Sequence, residues 1–175
     1  MKIACFGDSN TWGYDPRGYF GGRYDRPWPE LLADRLHCTV VNLGENGREI
    51  PAKAAAFPAD ADLLIIMLGT NDLLQGQSPD LICRKMERFL QAWNPEKLLI
   101  IAPPPMKPGA WVNGPEMIEA SESLTRYYRM LANWMGIRFA DAGKWDVSLS
   151  YDGVHFTEKG HRAFADGLGK ELAIL

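Results

Sequence analysis

Three side chains in this sequence could together attack an acyl group. Ser9 follows a short apolar run, residues 3–6, and His155 lies three residues after Asp152. A serine hydroxyl is a weak nucleophile near neutral pH, so it needs a base to take its proton and a group that orients the base. Histidine is the side chain best suited to proton transfer near neutrality. These residues predict a serine hydrolase with Ser9 as nucleophile, His155 as base and Asp152 as the orienting acid.

Each of these residues also has a structural alternative. Ser9 suits a turn or a helix N-cap, Asp152 suits a cap for the turn before the last predicted helix, and His155 suits packing at a strand end. Of the other two histidines, His37 falls at the end of a predicted helix and His161 inside another. His155 is therefore the histidine that stands in a loop beside an acid.

Three groups could donate hydrogen bonds to the oxyanion that forms during such an attack. They are the Asn71 side chain, the Gly47 N–H and the Ser9 N–H, each of which follows an apolar run. Glycine allows a close approach of the backbone to a ligand. The alternative for Asn71 and Gly47 is an ordinary turn, and Gly44 competes with Gly47 for the same role.

The elements that must position these residues alternate along the chain. Continuous apolar runs predict strands that are buried on both faces, and amphipathic segments between them predict helices. This pattern predicts one domain over residues 1–175, with a flavodoxin-like, doubly wound parallel sheet of about five strands and helices on both faces. The predicted strands span residues 2–6, 39–43, 63–68, 98–102 and 137–140, and the predicted helices span 28–36, 79–93, 115–135 and 157–172. The carboxyl ends of the first three strands and the loop before the last helix would meet in one crevice.

Composition narrows the functional class. The net charge of −3 argues against nucleic acid as a partner, since phosphate binding needs a basic face. No apolar stretch is long enough to span a membrane, and no secretory signal is visible. The three cysteines, at positions 5, 38 and 83, cannot all pair with one another and follow no C-x-x-C spacing. We therefore expect a cytoplasmic protein with reduced thiols and no metal site.

Four blocks of this sequence resemble those of the SGNH, or GDSL-type, hydrolases. They are Gly7-Asp8-Ser9, Gly47, Gly69-Thr70-Asn71-Asp72 and Asp152-Gly153-Val154-His155. The blocks follow the family's order, and the resemblance extends from residue 5 to residue 165. The stretches 5–13, 65–72 and 140–143 look most like the arylesterase/acyltransferase branch of that family.

The resemblance implies a three-layer α/β/α fold that needs no cofactor. It implies Ser9, His155 and Asp152 as the catalytic residues, and an oxyanion hole made of the Ser9 N–H, the Gly47 N–H and the Asn71 side chain. Gly47 is chosen over Gly44 because it lies five residues after Asn42, the usual offset in the family, and precedes Arg48. The expected reaction cleaves small acyl or aryl carboxylic esters through an acyl-enzyme, which water or another nucleophile then clears.

Two departures from the family pattern concern the same region. Asn10 stands where the name-giving motif has Leu. We expect that change to alter packing or pocket polarity more than the reaction. Glu49 and Ile50 replace small hydroxyl residues that often follow the second block, which changes the local hydrogen bonding and leaves the backbone donor at Gly47 in place.

The substrate pocket is predicted from two irregular stretches, residues 15–26 and 103–115. Trp12, Met106 and Trp111 lie in or beside them and are predicted to bind the acyl or aryl group of the substrate, the alternative being that they pack loop against core. The stretch 103–115 suits either a lid or a contact between subunits of a homo-oligomer. Arginines at 17, 23 and 26 could contact a polar leaving group or remain solvated.

Other functions remain open at this point. A carbohydrate O-acetylesterase of the same family is one alternative, because the pair Gly47-Arg48 also looks like that group. A non-catalytic flavodoxin-like binding module is another, although no phosphate-binding glycine motif follows the first strand. A conventional α/β-hydrolase would need a serine in G-x-S-x-G, and a metal-dependent hydrolase would need a cluster of ligands that three scattered histidines do not provide.

Overall fold

The computed structural model of the chain describes residues 1–18, 21–53 and 55–173. Its strands are, in chain order, β1 (Lys2–Gly7), β2 (Tyr14–Asp15), β3 (Gly22–Arg23), β4 (Thr39–Gly44), β5 (Leu63–Met67), β6 (Leu98–Ala102) and β7 (Arg138–Asp141). Its α-helices are α1 (Ser9–Trp12), α2 (Trp28–Leu36), α3 (Thr70–Leu74), α4 (Pro79–Leu90), α5 (Pro115–Met135) and α6 (Glu158–Ala173).

The central sheet contains five parallel strands in the order β4-β1-β5-β6-β7. The chain first moves outward from β1 to β4, then crosses to β5 and continues to the opposite edge. This order is the doubly wound, flavodoxin-like topology, so the predicted fold class is confirmed. The change of direction beside β1 creates a crevice at the carboxyl ends of β1, β4 and β5.

Alternation within the strands divides the apolar side chains between two cores. In β1, Ala4 and Phe6 point to one face, where α4 and α5 pack, while Ile3 and Cys5 point to the other face. On that second face Trp28 of α2 is completely buried, beside apolar side chains of α6. Because both faces are covered by helices, the strands are apolar at nearly every position.

The helices agree closely with the sequence predictions. The spans 28–36 and 115–135 are observed as predicted, and each helix has a proline within its first two positions, where no intrahelical N–H is needed. The helix predicted to reach residue 93 ends at Leu90. Asn94 accepts a hydrogen bond from the Glu96 N–H and starts a 3₁₀ turn there.

Four short elements were not predicted: α1, α3, β2 and β3. The strands β2 and β3 form a small antiparallel pair that begins directly before the first irregular stretch and extends into it. The helices α1 and α3 follow the carboxyl ends of β1 and β5. The strand β2 follows α1, and β3 pairs with β2. Within the described residues, no helix combines the length and apolar character needed to cross a membrane.

Candidate active site

Ser9 is held at the point where β1 passes into α1. Asp8 is the N-cap of this helix, and its carboxylate accepts a hydrogen bond from the Asn10 N–H at 2.9 Å. The turn requires a glycine before it, because a Cβ on Gly7 would come within 2.0 Å of the Thr11 hydroxyl. Ser9 is therefore the first residue of the helix and not its cap, and only 6% of its surface is exposed.

Ser9, His155 and Asp152 form one continuous chain of hydrogen bonds. The Ser9 Oγ lies 3.0 Å from the His155 Nε2, and the His155 Nδ1 lies 2.7 Å from the Asp152 Oδ2. The other carboxylate oxygen of Asp152 accepts from the backbone N–H groups of Val154 and His155, each at 2.9 Å. Asp152 thus caps its turn and contacts the imidazole at the same time, so the two interpretations of this residue are compatible.

The charge on Asp152 determines which imidazole nitrogen carries hydrogen. Burial acts to raise the pKa of Asp152, but the hydrogen bonds from the His155 side chain and from two backbone N–H groups outweigh it and hold this pKa below 3.8. An ionised carboxylate can only accept hydrogen bonds. The His155 Nδ1 therefore donates to Asp152, which leaves Nε2 free to accept the Ser9 hydroxyl proton.

Two aromatic rings flank the imidazole of His155. The ring of Tyr14, on β2, lies 4.7 Å from it between centroids, and the indole of Trp111 lies 4.9 Å from it in an edge-on arrangement. His155 itself is almost completely buried, whereas 46% of the Trp111 surface is exposed. Trp111 thus covers the base on its solvent side and presents an apolar surface beside it.

The predicted oxyanion donors follow three neighbouring strands. The Asn71 side chain, in α3, donates one hydrogen bond to the Arg48 carbonyl at 3.1 Å, which leaves its second N–H available. Gly47 adopts a left-handed φ of 75° in the turn after β4. Among the described residues, neither the Gly47 N–H nor the Ser9 N–H donates a hydrogen bond.

The two glycines of the second block have different surroundings. A Cβ on Gly44 would lie 2.1 Å from the backbone nitrogen of Trp12, so Gly44 lets α1 pack against the end of β4. A Cβ on Gly47 would meet nothing within 4 Å in the part of the chain that the structure describes. Packing explains Gly44, whereas Gly47 has open space beside it and is the better candidate for a ligand-facing donor.

Arg48 connects the ends of these strands. Its guanidinium donates to the Gly7 carbonyl at 2.9 Å and to the Leu43 carbonyl, and it lies 4.1 Å above the ring of Phe6. Its own carbonyl accepts the hydrogen bond from Asn71. One residue therefore contacts the backbone just before Ser9, the end of β4 and the predicted oxyanion side chain.

The segment that departs from the family pattern has its own partners. The Ile50 N–H donates to the buried carboxylate of Asp72 at 3.1 Å, and Asp72 also accepts from Lys85. Glu49 accepts a hydrogen bond from the Gln77 side chain at 2.7 Å. These contacts tie the segment after Gly47 to α3 and α4.

The three predicted substrate-binding residues lie in different surroundings. Trp111 is next to His155, as described above. Trp12 is half-buried, and its carbonyl accepts a hydrogen bond from the Arg23 side chain at 2.7 Å. Met106 is only 3% exposed and packs within the core on the α5 side of the sheet. A role for these side chains in binding substrate stays a prediction.

Two surface clefts lie near the irregular stretches. A cleft of about 430 Å³ between the α3–α4 turn and the start of α5 is lined by Leu73 and Met117, among others. A polar cleft of about 450 Å³ is lined by the three arginines of the first stretch together with Glu158 and Tyr24. Each of those arginines is paired with a carboxylate: Arg17 with Asp15, Arg23 with Glu30 and Arg26 with Asp34.

Two contacts of His155 and its loop were not anticipated from the sequence. Tyr14 lies five residues after Ser9, directly before the irregular stretch 15–26, and no local pattern indicates that its ring lies beside His155. Asn10 was expected to affect packing, but its side chain bonds to the backbone on both sides of His155. The asparagine at position 10, where the family motif has Leu, was the sequence feature that could have indicated these Asn10 hydrogen bonds.

Comparison with known families agrees with this geometry. Residues 5–163 match the GDSL-like Lipase/Acylhydrolase family. This match includes Ser9, His155 and Asp152. No curated protein matches the sequence of the chain significantly.

Solved structures resemble the whole chain. The aryl esterase of M. smegmatis has a TM-score of 0.84 at 28% identity, with 100% of this chain and 99% of that chain covered. A protein of Agrobacterium tumefaciens assigned as an arylesterase has a TM-score of 0.83 at 31% identity, with 99% of each chain covered. A carbohydrate acetylesterase family member from Sinorhizobium meliloti has a TM-score of 0.84 at 28% identity, covering 99% and 98% of the two chains.

Proposed function

Because this chain belongs to the GDSL-like lipase/acylhydrolase family, we propose that it hydrolyses carboxylic esters through an acyl-enzyme formed on Ser9. The observation that carries this proposal is the hydrogen-bond chain from the Ser9 Oγ through His155 to Asp152. It supplies a nucleophile, a base in the required tautomer and a buried anion behind it. The carboxylic ester hydrolase activity itself follows from the family.

In the first half of the reaction, Ser9 attacks the ester carbonyl while His155 takes its proton. The charge on Asp152 stabilises the imidazolium that results. The carbonyl oxygen becomes an oxyanion, and the Ser9 N–H, the Gly47 N–H and the free N–H of Asn71 are the donors that we assign to it. Each such donor typically contributes about 3–4 kcal/mol to transition-state stabilisation.

The first half ends when His155 gives its proton to the departing alcohol, which leaves the acyl group bonded to Ser9. In the second half, water loses a proton to His155 and attacks the acyl carbon. His155 then returns that proton to the Ser9 Oγ as the carboxylic acid leaves, which restores the free enzyme. Another alcohol that occupies the place of water would receive the acyl group, so the same site supports acyl transfer.

Replacement of Ser9 by alanine tests this assignment. Ser9→Ala is expected to lower kcat for p-nitrophenyl acetate by about 10⁶-fold, because the nucleophile of a triad acts as a unit with its partners. A fluorophosphonate probe is expected to label the wild-type chain at Ser9 and not this variant. Thermal unfolding should be almost unchanged, and turnover by a folded Ser9→Ala protein would refute the proposed function.

Small acyl groups are the substrates that the site favours. Ser9 is nearly buried, and Tyr14 and Trp111 stand on either side of its base, which restricts the space at the reacting carbonyl. Structures similar to this chain include an aryl esterase. A series of p-nitrophenyl esters is expected to give the highest kcat/KM at acyl chains of about two to four carbons, because the pocket is small. An optimum at long chains would contradict a small acyl pocket.

A carbohydrate O-acetylesterase is the second candidate. The polar cleft beside β2 and β3 carries arginine, carboxylate and tyrosine groups, which can hydrogen-bond hydroxyls of a sugar. The relative from Sinorhizobium meliloti is described as a carbohydrate acetylesterase family member. Acetate release from acetylated xylose, compared with phenyl acetate at matched concentration, distinguishes the two candidates.

We also propose a cytoplasmic location. Cys5, Cys38 and Cys83 are all free thiols, and such thiols persist in reducing compartments. Fractionation of producing cells tests this, and recovery of the protein with an exported fraction would contradict it.

A further inference from the structure

The side chain of Asn10 makes two buried hydrogen bonds to the segment that carries His155. Its amide nitrogen donates to the Val154 carbonyl at 3.1 Å, and its amide oxygen accepts from the Phe156 N–H at 2.9 Å. Asn10 is 3% exposed, and its partners are 144 and 146 residues away in the sequence. The peptide units on both sides of His155 are therefore fixed to the residue that follows Ser9.

We propose that Asn10 is a positioning residue that sets the distance between the Ser9 hydroxyl and the imidazole of His155. It touches neither substrate nor a reacting atom, so it acts through the histidine. This inference rests on the proposed function, because it concerns the same pair of residues.

The secondary structure of the Ser9 segment and of the His155 segment does not by itself fix one segment to the other. Ser9 belongs to a helix of one turn, which begins from the end of β1. His155 belongs to an irregular loop between the Asp152 turn and α6. Asp152 orients the ring of His155 but lies within the same loop, so it does not fix that loop to β1 or α1. Asn10 makes that connection directly, through both polar atoms of one rigid amide.

Leucine, the residue of the name-giving motif, would remove both contacts from this chain. Leucine has the same branched shape as asparagine but neither a donor nor an acceptor. The Val154 carbonyl and the Phe156 N–H would then be buried without their partner, and unsatisfied buried groups drive local rearrangement. We expect the loop to shift, and a shift of about 1 Å between reacting groups can lower a rate by about 10²-fold.

The experiment compares Asn10→Leu with a matched control on the same helix. Thr11→Val is suitable because Thr11 is fully buried and its hydroxyl has no hydrogen-bond partner among the described residues. For p-nitrophenyl acetate, Asn10→Leu is expected to lower kcat by about 10²-fold and to leave KM within about threefold. Thr11→Val is expected to keep kcat within about twofold of wild type, since it loses no contact with the catalytic residues.

A second measurement separates positioning from general loss of stability. The rate of Ser9 labelling by a fluorophosphonate depends on proton transfer to His155, and it should fall with kcat in Asn10→Leu. All assays are run at a temperature where the unfolding curve shows the variant to be folded. A folded Asn10→Leu protein with wild-type kcat and wild-type labelling rate would overturn the proposal.

A milder variant covers the case in which Asn10→Leu does not fold. Asn10→Asp keeps the size of the side chain and an acceptor for the Phe156 N–H, but it places a carboxylate oxygen against the Val154 carbonyl. We expect a decrease in kcat of at least about tenfold with little change in KM, and an unchanged kcat would overturn the proposal.

The outcome for Ser9→Ala shows which of the two proposals has failed. If Ser9→Ala retains turnover, the proposed function is wrong. If Ser9→Ala is inactive and both variants at position 10 are fully active, the proposed function stands and the role of Asn10 is wrong.

Discussion

At the scale of single residues, the carboxylate of Asp152 serves two purposes through two different oxygens. Its Oδ1 closes the turn by accepting two backbone N–H groups, and its Oδ2 accepts from the imidazole of His155. The loop geometry and the orientation of the base are therefore fixed by one side chain. This arrangement allows the two purposes to be separated by a conservative substitution.

Asp152→Asn is expected to lower kcat by about 10³–10⁴-fold while the fold is kept. The amide oxygen can still accept from the Val154 and His155 N–H groups, but the amide NH₂ would face the His155 Nδ1. That nitrogen must then be the acceptor, so Nε2 carries the hydrogen and cannot take the Ser9 proton. Steady-state kinetics with p-nitrophenyl acetate and a thermal unfolding curve check this, and a loss of less than about tenfold would contradict the assigned role.

The proximity of candidate residues could be anticipated from the sequence where the residue type itself has a chemistry, while their roles stay predictions. Ser9, Asp152 and His155 have such types, and the structure brings them together. Asn10 was expected to affect packing, because its partners are main-chain groups at the far end of the chain, which no local pattern reveals. Tyr14 was missed for a similar reason, since an aromatic residue in an aperiodic stretch suits packing equally well.

At the scale of elements, the segment 107–112 is fixed to the loop that contains Asp152. The backbone N–H groups of Lys107, Ala110 and Trp111 donate to the carbonyls of Gly153, Tyr151 and Asp152, each at 3.0 Å. The sequence left this stretch as either a lid or a subunit contact. Its hydrogen bonds show that it also supports the loop that carries Asp152 and His155.

Gly109→Ala is expected to weaken this support. A Cβ at this position would lie 2.4 Å from the Asp152 carbonyl carbon, and backbone atoms cannot move away as a flexible side chain can. We expect a loss of about 1–3 kcal/mol in the free energy of unfolding, together with a lower kcat. Urea unfolding and ester hydrolysis measure the two effects.

Gly22→Ala is a suitable control for that substitution. Among the described residues, a Cβ on Gly22 would come within 4 Å only of the Asp15 Cβ, at 3.9 Å, so the change should have little effect on either measurement. Equal losses for both variants would show that the effect at Gly109 does not arise from its contact with Asp152.

The main elements were predictable because their signals are local. Apolar runs such as 63–68 and 98–102 suit strands covered on both faces, and prolines mark the starts of α2, α4 and α5. The helix α1 was not predictable in the same way, since one helical turn has too few residues for periodicity. The hydrogen bonds that fix segment 107–112 to the Asp152 loop join main-chain atoms, so no side-chain pattern in the sequence indicates them.

At the scale of the whole molecule, two buried groups give stability opposite dependences on pH. Burial raises the pKa of Asp8 from 3.8 to about 6, although the Asn10 N–H partly offsets this. Burial and the nearby Arg23 lower the pKa of His161 from 6.5 to about 3. His161 accepts a hydrogen bond from the Trp28 N–H at Nδ1, which suits its neutral form.

The signs of these two effects follow from the protons bound in each state. Between about pH 4 and 6, folded Asp8 keeps a proton that the unfolded chain releases, so its contribution to stability falls as pH rises. Between about pH 3 and 6.5, the unfolded chain holds a proton on His161 that the folded protein lacks, so that contribution rises with pH. The two contributions oppose each other between about pH 4 and 6.

When one of these two groups is replaced, the pH dependence of the free energy of unfolding should reflect the remaining group. We expect Asp8→Asn, which keeps an N-cap oxygen, to lose stability on acidification from pH 6 to 4 more steeply than wild type, by up to about 1.4 kcal/mol per pH unit. We expect His161→Gln to change the slope in the opposite direction. Urea unfolding at half-unit intervals measures both, and slopes equal to that of wild type in both variants would contradict the assignment.

The separation of Ser9 and His155 along the chain has a consequence for synthesis. The two side chains that share a hydrogen bond are 146 residues apart, and the nucleophile emerges from the ribosome long before the base. A nascent chain that has not yet exposed residue 155 holds a serine without a proton acceptor. Esterase activity should therefore arise only after residue 155 has left the ribosome and the loop that carries it has packed against α1.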